Sequence, residues 1–81
     1  MNNDNYEKTE QLLIMLNDLI ESGHPSAGAL KLARDHVQFA CAYLAHGRIS
    51  EAGDHLTAAR GYLKQIKRTT CNMIAAIDEV A

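Results

Sequence analysis

The chain of 81 residues has no Trp, one Phe, one Pro, five Gly and two Cys. So few Gly and Pro leave too little turn chemistry for a small β fold and favour helices. Two Cys make no disulfide framework, so a reducing, cytoplasmic setting is expected. No apolar run approaches the roughly 18 residues of a membrane helix. The opening MNNDNYEKTEQ lacks the charged-then-apolar pattern of a signal peptide. No membrane association is expected. Neither sign of charge dominates: eight Lys and Arg face ten Asp and Glu, for a net charge of −2. That balance makes duplex nucleic acid an improbable partner. What is present is ordinary for a globular chain, 47% apolar and 22% charged residues. The length allows one domain, residues 1–81.

Two breaks divide the chain, at Ser22-Gly23-His24-Pro25-Ser26 and His46-Gly47-Arg48-Ile49-Ser50. Each places a Gly after an apolar-periodic stretch and a Ser before the next, the grammar of helix end and helix start. Three helices are predicted. The first runs over about 5–21, with Asp4 and Glu7 as a capping-box-like start and an apolar face of Leu12, Leu13, Leu16, Leu19 and Ile20. The second runs over about 27–46, capped by Ser26. Its stripe of Leu30, Ala33, Val37, Ala40, Cys41 and Leu44 is rich in Ala and lets a neighbour approach closely. Phe39 and Tyr43 lie off that stripe, on a second side.

The third helix is predicted over about 51–80, beginning after Ser50. Ala52, Leu56, Ala59, Leu63, Ile66, Thr70, Met73, Ile77 and Val80 alternate steps of four and three, a heptad seam of coiled-coil type. Asp78 and Glu79 fall in its last turn, where the helix dipole disfavours acids, so fraying is expected there. Such a helix would be about 45 Å long against roughly 25–30 Å for the other two. The predicted fold is therefore an all-α, three-helix up-down bundle with a long C-terminal helix. Its overhanging seam would oligomerise the chain through Leu63, Ile66, Thr70, Met73 and Ile77, most simply as a two-fold dimer.

Chemistry is sparse. Cys41 and His46 diverge around their helix, and His55 could approach His46 only across the turn. No four-ligand zinc spacing results, and no metal or other cofactor is expected. Asp35-His36 and Asp54-His55 are sequence neighbours that point to different sides of a helix. Phosphate loops and hydrolase or metalloprotease motifs are missing, so no catalytic residues and no enzyme activity are expected. The basic residues are better placed. Arg60, Lys64, Lys67 and Arg68 form one stripe beside the seam, with Thr69 nearby as a hydrogen-bond donor. Like charges so close need an offset. It could come from helix 1 acids such as Glu7, Glu10 or Asp18, from a neighbouring subunit, or from a bound anion.

Residues 42–63, AYLAHGRISEAGDHLTAARGYL, look like the turn of a tetratricopeptide repeat through Gly47, Glu51, Ala52, Leu56 and Ala59. The flanking predicted helices exceed the roughly 34-residue repeat, so the likeness reads as general helical-hairpin grammar. Residues 32–38, LARDHVQ, resemble a segment of small helical phage proteins that sequester cyclic oligonucleotides and blunt CBASS immunity. The resemblance implies a non-enzymatic oligomeric sponge with Arg34 in its ligand site. Two functions follow as expectations. The first is a non-enzymatic homo-oligomer that serves as an interaction or regulatory module with a protein partner. The alternative is an anti-defence, nucleotide-binding sponge that holds an anionic cyclic signal at a subunit interface.

Overall fold

A computed structural model of the chain describes residues 3–66 and 71–80. Four helices account for them: α1 (Asn3–Glu21), α2 (Ala27–Ala45), α3 (Ile49–Leu63) and α4 (Cys71–Val80). The described residues contain no strand. Both glycine breaks act as predicted. Gly23 and Gly47 adopt φ of 80° and 73°, left-handed values that glycine reaches without a Cβ clash. Around Gly23, its own N–H donates to the Ile20 carbonyl and the His24 N–H to Leu19. Around Gly47, the same pair of bonds runs from Gly47 to Leu44 and from Arg48 to Tyr43. Each is a Schellman closure, which satisfies carbonyls left open at a helix end.

The helix starts differ from expectation. The first helix begins at Asn3, so Asp4 sits within its first turn, where an acid suits the dipole. The Ser26 hydroxyl makes no capping bond; its backbone N–H instead donates to His24 Nδ1 at 3.0 Å. The third helix begins at Ile49, which puts Ser50 inside the helix rather than at its cap. There Arg48 and Glu51 form an ion pair across the first turn.

The larger correction concerns the long third helix, which stops at Leu63. The N–H groups of Gln65 and Ile66 donate to the Tyr62 and Leu63 carbonyls, tightening the exit into turns. The C-terminal stretch then forms a separate helix, α4, that packs on both α1 and α3. Val80 at its end lies beside Asn5, Leu44 and Ile49. Both α1 and α3 begin at that end of the molecule and α2 finishes there, so α4 runs antiparallel to α1 and α3. The result is a four-helix up-down bundle measuring 37 × 19 × 17 Å.

Folding back hides the predicted oligomer seam inside one chain. Leu63, Ile66, Met73 and Ile77 are all buried, at 0%, 7%, 4% and 1% exposure. The overhang that called for a second subunit is gone, because α1 and α3 cover those residues. Thr70 lies outside the described residues. The same core holds Leu12 and Leu16 of α1, Leu30, Ala33, Val37 and Ala40 of α2, and Ala52, Leu56 and Ala59 of α3. Thr9 is buried as well, its hydroxyl donating to the Asn5 carbonyl at 2.7 Å. The predicted fraying of Asp78 and Glu79 also meets a counter-force, since Arg60 of α3 and Lys8 of α1 reach them.

Candidate functional site

Two surface features of the α2–α3 hairpin concentrate unusual chemistry. The first is the outward face of α2. With Leu30, Ala33, Val37 and Ala40 turned into the core, helical geometry sends Leu32, Asp35, Phe39 and Ala42 to the opposite side. Leu32 is 48% exposed and Phe39 is 56% exposed. Phe39 and Ala42 line a shallow open groove with Asp35 and Gln38. Large apolar side chains held in water at heptad spacing are a cost to an isolated chain and an asset to an interface.

The second feature runs along the flank between α2 and α3. His36 Nδ1 and His55 Nδ1 stand 3.0 Å apart, a hydrogen bond between half-buried imidazoles on different helices. Tyr62 stacks on His36 with centroids 5.8 Å apart. Phe39 and Tyr43 stack on His55 at 5.2 Å and 5.5 Å. The Arg48 guanidinium caps the row, 5.6 Å above the Tyr43 ring. Stacked rings at such separations attract by roughly 0.5–1.5 kcal/mol per pair beyond their burial. The row therefore fixes the orientation of both imidazoles.

His55 thus meets His36, not His46. The second side of α2 meets α3, where Phe39 and Tyr43 stack on His55, and Phe39 stays half in water. An antiparallel hairpin turning at Gly47 brings together residues at comparable distances on either side of the turn. That register was the signal by which the His36–His55 meeting could have been found.

Of the predicted anion-binding residues, Arg34, Arg60 and Lys64 are described. Arg34 donates to its neighbour Asp35, with Nη2 3.3 Å from Oδ1. Arg60 donates to Asp78 of α4 at 2.7 Å. The offset for Arg60 thus comes from α4 of the same chain rather than from Glu7, Glu10 or Asp18. Lys64 is exposed just past the end of α3. Lys67, Arg68 and Thr69 lie outside the described residues. At the end of the bundle, Asn5, Leu44, Leu56 and Val80 help to line a cavity of about 120 Å³. That is well below the roughly 300–1,000 Å³ of small-molecule pockets. Among the described residues no group of three or more His, Cys, Asp or Glu converges as a metal cage, and no helix is long and apolar enough to cross a membrane.

Cys41 is half-buried on α2. Burial pushes its thiol above the ordinary value of 9.0, and the Glu10 carboxylate adds to the rise. Folding therefore favours the protonated thiol. That contribution to stability is fully present below about pH 9 and is lost as pH rises through the elevated value. The thiolate is the reactive form. Cys41 should alkylate more slowly at pH 8 in the native chain than in urea, with Glu10→Gln partly restoring the rate. Peptide-resolved mass spectrometry of a timed iodoacetamide reaction checks this, and equal native and denatured rates would refute it.

Compared with known proteins, the chain matches no family model, no curated protein and no solved structure. The likenesses seen at residues 32–38 and 42–63 rest on those residues alone.

Proposed function

We propose that this chain is a non-enzymatic helical interaction module that pairs with a second copy of itself through the outward face of α2. The observation that carries the reading is the exposure of Leu32 and Phe39, seven residues apart on one helix face. Burying such side chains yields about 25 cal/mol per Å² of apolar surface removed from water. The face is self-complementary. An antiparallel two-fold pairing centred near Asp35 and His36 sets Leu32 opposite Phe39 of the partner subunit. Gly28 and Ala42 then face each other, and their small side chains let the helices close. Asp35 would meet its own copy near the axis. The Arg34 beside each Asp35 supplies the opposite charge there, which gives Arg34 an interface role in place of a ligand-binding one.

A face one helix wide buries less than the ~800 Å² per partner of a standard interface. Pairing is therefore weak and depends on concentration. The sequestering alternative has less support, because Arg34 and Arg60 each already face a carboxylate. A panel of cyclic nucleotides that raised the melting temperature at low salt would reverse that choice.

Sedimentation over micromolar to millimolar concentrations tests the pairing. The average mass should climb from 8.9 kDa toward twice that value. Phe39→Asp should hold the mass at the monomer value while keeping the helical circular dichroism, because Phe39 lies outside the core. A wild-type mass that stays at 8.9 kDa at every concentration would overturn the proposal.

A further inference from the structure

The His36–His55 contact offers chemistry that the pairing surface does not use. We propose that the two imidazoles form a chelate for a divalent transition ion that accepts nitrogen ligands at a right angle, such as nickel(II) or copper(II). Two nitrogens that each sit about 2.0–2.1 Å from one ion are about 2.9 Å apart when they subtend 90°, and about 3.4 Å at the tetrahedral angle. The separation between the two Nδ1 atoms is 3.0 Å, close to the right-angle value. Tetragonal and octahedral ions with imidazole ligands are the ones that prefer it.

Preorganisation supports the same reading. Most of the cost of a two-ligand site lies in holding the ligands together, and here the fold has met it. The two residues come from different helices, 19 positions apart, on the closely packed α2–α3 hairpin. Tyr62 braces the His36 ring, while Phe39 and Tyr43 brace the His55 ring. Neighbours that fix imidazole orientation raise metal affinity in the same way that outer-shell partners do. Partial burial leaves room for water to complete the coordination. Such a site asks for two nitrogens, unlike the four-ligand zinc cage that the sequence spacing excludes.

The proton count is simple. Without metal, one Nδ1 carries the hydrogen and donates it to the lone pair of the other. Coordination needs both lone pairs bare. The donating ring passes its hydrogen from Nδ1 to Nε2 through solvent, a change of tautomer with no net proton lost. The ion then takes over from the shared hydrogen, to one side of the line joining the two nitrogens, with each ring turning its lone pair toward it, and ties α2 to α3. Because the unfolded chain lacks the paired geometry, binding raises the melting temperature by linkage.

Nickel(II) is the better probe, since copper(II) would also oxidise thiols. Added in excess at pH 7.5 to the full chain, it should raise the melting temperature by about 5 °C. It should also selectively broaden the ring proton resonances of His36 and His55. His36→Gln and His55→Gln should each remove the melting shift. No shift in the wild type, or a shift that survives in both variants, would overturn the proposal. Should a variant fail to fold, the wild-type spectrum alone decides: broadening centred on His24 or His46 instead of the His36–His55 pair refutes the site.

Discussion

Replacing Ile77 by Asp should unfold the chain rather than merely separate subunits. Ile77 is 1% exposed within a single chain, on the face of α4 that closes the bundle. Burying a carboxylate with no partner costs several kcal/mol, or forces the group to take up a proton. Small domains hold only about 5–15 kcal/mol of net stability in total, and at 81 residues this one falls in the small class. The expected result is loss of the cooperative thermal transition by circular dichroism. Ala75→Asp, at an exposed position of the same helix, is the control and should move stability by about 0.5 kcal/mol or less. A cooperative melt retained in Ile77→Asp, with only self-association lost, would mean that α4 does not pack on its own chain.

The second large effect runs against hydrophobicity. Ala59→Leu should destabilise the fold although it adds apolar surface. Four of the buried residues are alanines: Ala33 and Ala40 on α2, Ala52 and Ala59 on α3, each at 1% exposure or less. These small side chains allow the close approach of the α2–α3 pair, the same approach that brings His36 and His55 within 3.0 Å. A leucine at Ala59 has no space and must push the helices apart or take a strained rotamer. Overpacking of this kind costs about 1–3 kcal/mol, or roughly 4–8 °C of melting temperature per kcal/mol for a domain of this size. Chemical denaturation of both proteins measures it. A variant as stable as the wild type would show that the α2–α3 gap is wider than described.

Much of the architecture is legible in the sequence. Glycines placed after apolar-periodic runs marked both Schellman turns, because an αL residue at a helix end is a local demand that Gly meets most easily. The 3–4 spacing marked Ala52, Leu56, Ala59, Leu63, Ile66, Met73 and Ile77 as side chains that some surface must cover, and each of them is buried, while Val80 of the same seam is partly buried and Thr70 lies outside the described residues. What the spacing could not tell was which surface covers them. A heptad seam reads the same whether the partner is another subunit or the chain's own neighbouring helix. The cationic stripe suffered likewise. Its spacing was visible, but the carboxylate that answers Arg60 comes from α4, on the far side of a break the pattern does not show.

Local sequence by itself determined the helical class, the two glycine turns and most of the buried apolar side chains, although Leu13, Leu19, Ile20 and Leu44 of the predicted faces are only partly buried. Those depend on backbone preference and on period, both written in short stretches of chain. Only the tertiary structure decided that the third predicted helix becomes two. Residues 64–70 contain neither Gly nor Pro, and the β-branched Thr69 and Thr70 weaken a helix only slightly. The decision is one of burial. A straight helix of about 45 Å would leave Met73 and Ile77 in water, whereas folding back sets them against α1 and α3. Removing two such side chains from water is worth about 1.5–3 kcal/mol each, more than the few tenths per residue by which helix propensities differ. The same tertiary closure brought the His36 and His55 rings to 3.0 Å, whereas the helical period by itself had already turned Phe39 off the core stripe.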